Sequence, residues 1–187
     1  APNVQIESML TRAELALALA RVDECQAALS KLETLSKQIR NDQGLLKGHI
    51  LRGKMIMQQD DLEEARAWFE HAHKVAQTLE DPDLLSRAKV AMAGWFERYG
   101  DHVRAQHMLQ GAMNLFHRWG THHMNLASRA RMINQAVNLW CARGMHTQAG
   151  RFVEDLERIS LAVGLPGLNA RVDWAKGRVL LAQGERT

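Results

Sequence analysis

Apolar and small residues return along this chain at helical spacing, and the whole pattern returns again every 37–44 residues. Its clearest copy runs from Gly53 to Ala72, with small residues at Gly53, Ala65 and Ala72 and a bulky one at Phe69. The next copy has Ala93, Gly100-Asp101, Ala105, Leu109 and Ala112, and the one after it Val137, Gly144, Ala149, Val153 and Leu156. A fourth begins with Gly177 and Gly184, and a weaker copy upstream has Ala16, Asp23, Ala28, Leu32 and Leu35. A period of this length predicts stacked helical hairpins, each burying its apolar face against its neighbours.

Each unit reads as two amphipathic helices joined by a tight turn. The first helix carries a small residue midway (Gly53, Ala93, Gly177), where a missing side chain lets the second helix approach. The second has alanines seven residues apart, two turns on one face. Turns are expected at Asp60-Asp61, Gly100-Asp101, Gly144-Met145 and Gly184-Glu185. Glycine supplies the positive φ that ends a helix, and a following aspartate caps the next. Helix pairs should therefore meet near residues 22, 60, 100, 144 and 184. Long alternating Val/Ile/Thr runs are absent, so no strands are expected.

These residues resemble the tetratricopeptide repeat. Gly53, Ile56, Ala65, Phe69 and Ala72 match that family's small and bulky positions, as do Ala93, Phe96, Gly100, Ala105, Leu109 and Ala112. The resemblance spans about residues 9–184. It departs in its period, nearer 40 than 34, and in replacing the closing proline by longer loops such as Leu79–Asp83. Long repeats of this style resemble the sensor region of MalT/LuxR-type bacterial transcription regulators, and occur in eukaryotic scaffolds such as the kinesin light chain. The resemblance implies an all-α, right-handed superhelix of about four and a half hairpins, at roughly 9–40, 43–80, 83–118, 122–162 and 168–187. It also implies binding without catalysis: a sensor or interaction domain in the cytoplasm. A general adaptor gripping an acidic peptide, or a repeat domain tethered to a signalling enzyme, is the alternative.

Composition adds bounds. At 187 residues the chain is one domain on length. Cys25 and Cys141 lie about three units apart and are not expected to pair. No run of 18 apolar residues and no signal peptide is apparent. The Ala-Pro-Asn start and the stop inside a hairpin are expected of a piece cut from a longer protein, or of a processed N-terminus. Residues 1–85 carry 10 basic and 14 acidic residues, net −4; residues 86–187 carry 14 and 7, net +7. The basic half suggests an anionic partner.

Little in the chain suggests chemistry. Gly48–Met55 approaches a phosphate-binding loop but has Met55 where Ser or Thr would hold magnesium, and it lies within a helix pattern. His71 and His73 point to different faces; His117, His122 and His123 lack a completing ligand set. Trp68, Trp95 and Trp140 fall at core spacing. No nucleophile sits beside a base, and no distinct recognition helix appears. No cofactor, metal, membrane or direct nucleic-acid contact is expected.

The first helices, by the same resemblance, line a concave groove. Aligning on Gly53, Ala93, Val137 and Gly177 places a cation six positions earlier in every unit: Lys47, Arg87, Arg131 and Arg171. The same alignment sets Lys54, Asn138 and Arg178 one position after the small site. Arg98 comes four later, and Asn134 and Trp174 stand three before the small site. This set is expected to hold a protein or peptide partner, or a small anionic effector: guanidinium groups for carboxylates, Asn amides for a peptide backbone.

Overall fold

The computed structural model describes residues 2–119, 126–164 and 166–184, and every regular element among them is an α-helix. The chain divides into two compact units, Ala1–Met108 and Leu109–Thr187.

The first unit holds α1 (Pro2–Ala18), α2 (Val22–Gln38), α3 (Asp42–Gln58), α4 (Leu62–Thr78), α5 (Pro82–Tyr99) and the start of α6 (His102–Trp119). Its joints recur every 20 residues. Ala20, Arg40, Asp60, Glu80 and Gly100 all adopt positive φ, between 52° and 89°. Four of the five are not glycine, although the left-handed conformation disfavours a Cβ. Hydrogen bonds on either side hold the joint. The amide after the left-handed residue reaches back five positions, as from Arg21 to the Ala16 carbonyl and from Asn41 to Ser36, both at 2.8 Å. These bonds occupy carbonyls that a helix end leaves free. An Asx side chain then opens the next helix: Asn41 accepts from the Gly44 amide, Asp61 from Glu64, Asp81 from Asp83 and Leu84, and Asp101 from Arg104. Arg21, after Ala20, is the exception and caps α2 with no side-chain bond.

Leu79–Asp83 is not a long loop, contrary to expectation: the joint is residues 79–81, and Pro82 is the first helical residue, where its missing N–H is no loss. The 40-residue period comes from helices of 17 or 18 residues. The first hairpin likewise begins at Pro2, seven residues before the start expected near 9.

Packing keeps the same interval. α1–α2, α2–α3, α3–α4 and α4–α5 are neighbours, and first helices also touch in sequence, α1 with α3 and α3 with α5. Ile6 and Leu46, Leu10, Ile50 and Val90, Ala13, Gly53 and Ala93, and Cys25, Ala65 and Ala105 are buried at corresponding positions. Phe69 is 1% exposed, and a Cβ on Gly53 would stand 2.6 Å from its ring. The small residue admits the large one, as the sequence suggested. Burying such a ring stabilises by about 1.5–3 kcal/mol.

The second unit holds the rest of α6 with α7 (Leu126–Ala142), α8 (His146–Val163) and α9 (Pro166–Ala182). α7 packs on α8, α8 on α9 and α7 on α9. Joints fall at Gly144, Gly164 and Gly184, again with positive φ and again 20 residues apart. Ile133, Val137, Trp140, Val153 and Leu156 are buried here, and Trp140 stacks on Phe152 at 4.6 Å. Gly177 differs from Gly53: among the described residues a Cβ there would meet nothing within 4 Å. The expected turns at Asp60, Gly100, Gly144 and Gly184 are all present, and every regular element among the described residues is a helix, packed on its neighbours in sequence within each unit. No helix among the described residues is long and apolar enough to cross a membrane.

Candidate functional site

The first-helix face carries the expected residue types, and the two units use them differently. In residues 1–108 the cations meet acids of the chain itself. Lys47 donates to Glu7 at 2.9 Å, and Glu7 occupies the corresponding place one repeat earlier, so the ladder starts with an acid. Arg87 donates to Asp83 at 3.1 Å, one turn away, with both side chains 18% exposed. Arg98 pairs with Asp60 at the neighbouring joint. Lys54 is half-buried. The expected row of open cations gives way here to ion pairs, because acidic residues stand one step or one turn before them.

In the second unit α7 and α9 bring Asn134, Asn138, Trp174 and Arg178 onto corresponding helix positions. Asn134 and Asn138 are half-buried and one turn apart. The Oδ1 of each is shielded from solvent and accepts no hydrogen bond among the described residues. Trp174 is 47% exposed, and the Arg178 guanidinium lies over its ring, 5.4 Å from the centroid. Two carbonyl acceptors thus lack donors in a unit that also offers an exposed cation and an indole. An unmet buried acceptor costs about 1–3 kcal/mol, which a donor from a ligand would recover. The side chains of Arg131 and Arg171 lie outside the described residues, as do His122, His123 and the side chain of His117.

A second cluster escapes the sequence pattern. His49 of α3 is 8% exposed, and its ring lies between Trp68 (5.1 Å between centroids) and His71 (5.0 Å) of α4. Arg52 stands over the Trp68 ring at 4.9 Å and forms an ion pair with Glu33 at 3.2 Å, while Lys37 donates to the same carboxylate at 2.6 Å. Burial, then the nearby His71, holds the His49 imidazole down at about 4, so it is neutral at pH 7. The hydrogen bond from Lys37 keeps Glu33 below its ordinary value, against burial. Trp68 is half-buried rather than core, unlike Trp95 and Trp140. The signal available in sequence was the spacing of Glu33 with Lys37 and of Trp68 with His71, which needs the 20-residue joint to be superposed.

The chain matches no protein-family model, and no curated protein is similar enough to it to suggest one. What bears on function is the chemistry of these side chains.

Other candidates carry less. Gly48–Met55 is interior to α3, where amides are already bonded along the helix. Both cysteines are free and buried, and burial raises their thiols, which disfavours the reactive thiolate. Among the described residues no three His, Cys, Asp or Glu side chains converge as a metal site.

Proposed function

We propose that this chain is a non-catalytic binding module whose ligand is an extended acidic peptide, held on the α7–α9 face by Asn134, Asn138, Trp174 and Arg178. One observation carries this reading: two neighbouring amide oxygens on that face are buried and accept nothing. Backbone N–H groups of an extended segment are the complementary donors, met when the half-buried amides turn their oxygens outward. Trp174 offers a flat wall to a side chain, and Arg178 pairs a carboxylate bidentately. The net charge of +7 over residues 86–187 favours approach of an anion. In its wider setting we take the module to be the cytoplasmic sensor or interaction domain of a bacterial transcription regulator, as the MalT-type resemblance implies. Ligand binding would then bias the state of attached domains.

Selection of a random peptide library on the chain tests the first reading. Peptides enriched in Asp and Glu should bind, and should lose about tenfold or more in affinity with Trp174→Ala or Arg178→Glu. Enriched peptides that bind these variants equally would refute it. The regulator reading turns on domain order in the full gene product: an NTPase before this segment and a DNA-binding domain after it are expected.

A further inference from the structure

Where α2, α3 and α4 meet, the first unit contains a cleft of about 460 Å³. This volume is in the range of small-molecule sites. Its walls combine two kinds of surface. Leu45 and Trp68 are apolar, whereas Lys37 and His71 stand exposed at the edge and the neutral, buried His49 forms part of the lining. Among the described residues Glu33 is the one carboxylate in the lining and Lys37 the one permanent cation, and Arg52 adds a second cation beside Glu33 just beyond the lining. Glu33 accepts from Lys37 and forms an ion pair with Arg52, so the three together keep one positive charge. Lys37 spends one of its three donors on Glu33, and the Arg52 guanidinium carries five N–H donors beside the same carboxylate. The site therefore has positive charge and hydrogen-bond donors to spare, next to a hydrophobic wall.

We propose that this cleft binds a small organic acid with a flat apolar body, its carboxylate on Lys37 and His71 and its ring against Leu45 and Trp68. The occupant is anionic because the local charge is positive and the donors outnumber the acceptors. It is flat and apolar because the leucine and the indole ring face offer no hydrogen bond, the indole N–H being given to Glu64. The buried His49 ring braces both Trp68 and His71 and fixes the width between the apolar wall and the charged edge. The Nδ1 of His49 has no partner and is shielded from solvent, so this ring contributes shape rather than charge. The site lies on helices and residues separate from the peptide face, and stands or falls independently of it.

The test titrates the intact chain with indole-3-acetate, benzoate and 1-naphthoate, read by ligand-observed NMR and calorimetry. Tryptamine supplies the same ring with a cation, and acetate the same anion without a ring. At least one of the aromatic acids should bind saturably with one site, and both controls should bind about tenfold more weakly or not at all. Lys37→Ala and His71→Ala change exposed side chains and should each weaken the aromatic acid about tenfold while the melting temperature stays unchanged. Failure of all three acids to bind would overturn the proposal. So would tryptamine or acetate binding as tightly as the acids, or an affinity indifferent to both substitutions.

Discussion

The two units solve the same problem, ending a helix and starting the next within three or so residues, with different chemistry. In residues 1–108 the left-handed position is taken by Ala20, Arg40, Asp60 and Glu80, and only Gly100 is a glycine. In residues 109–187 it is glycine at all three described joints. The next position differs too. Asn41, Asp61, Asp81 and Asp101 cap with their side chains, whereas Met145 opens α8 with no side-chain cap. At Arg40, Asp60 and Glu80 the first unit tolerates strain at one residue and offsets it through the neighbouring cap; at Gly144 the second avoids the strain and does without the cap. Surface charge divides along the same line. Cations of the first-helix face are matched by acids before residue 108, whereas beyond it two amide oxygens stand unmatched and Arg178 rests on an indole.

The largest effect should come from breaking the wedge that sets the spacing of the first unit. Phe69→Ala removes the ring that fills the space over Gly53 and should cost about 3–5 kcal/mol in urea unfolding. A loss below about 1 kcal/mol would mean the groove between α3 and α4 can collapse without it.

Acid should distinguish the units next, because the buried imidazole belongs to the first. The His49 value is near 4 in the folded chain and 6.5 ordinarily. The unfolded chain therefore takes up a proton that the folded chain refuses. Stability from this group is complete above about pH 6.5 and declines as pH falls towards 4, by up to roughly 3 kcal/mol. His73, also lowered by burial, and after that by Lys89, adds in the same direction. A His49→Gln variant should show a shallower decline between those pH values in thermal melts. An unchanged slope would place the acid sensitivity elsewhere.

The joints offer a smaller and more pointed contrast. Arg40→Gly and Glu80→Gly should each raise stability by about 0.5–1 kcal/mol, since glycine relieves the left-handed backbone. Gly144→Ala should lower it by about 1 kcal/mol for the converse reason. If glycine destabilises at 40 and 80, the Arg and Glu side chains hold those joints by contacts of their own.

Smallest of all should be Arg98→Ala. Its partner Asp60 is 80% exposed, and ion pairs so open to solvent are worth about 0–1 kcal/mol. Asn134→Ala with Asn138→Ala sharpens the comparison from the other side. Removing unmet acceptors should leave the melting temperature level or slightly higher, while abolishing capture of acidic peptides. A strong loss of stability would show these amides to be structural.

Much of this architecture was legible because small residues recur where helices approach. Gly53, Ala65 and Phe69 announced the hairpin by their spacing, and Gly100 and Gly144 announced its turns. The joints between hairpins were harder. Arg40 and Glu80 have no turn signature of their own, since their left-handed backbone is set by the carbonyls left free behind them and the Asx cap ahead. The Leu79–Asp83 stretch looked like a longer loop in place of a closing proline, yet its Pro82 is where a helix accepts one. The candidate ladder of cations was visible as a pattern, but its neutralisation by Glu7 and Asp83 was not. That depends on which acids lie alongside, and a one-dimensional alignment ranks every cation alike. The His49–Trp68–His71 cluster and its Glu33 neighbour span residues 33 to 71 and appear only once helices of equal length are laid side by side.

The 20-residue spacing of joints also makes the first unit divisible. Asn41 and Asp81 each come after a left-handed residue and each cap the helix they begin. Cutting out residues 41–80 would join Arg40 to Asp81 and recreate the joint that was removed, with Ser86 facing the place that Leu46 had filled. Duplicating the same segment would insert one more hairpin without altering either seam. A gene encoding such a chain can change the number of its hairpins by unequal recombination, and every product inherits intact joints.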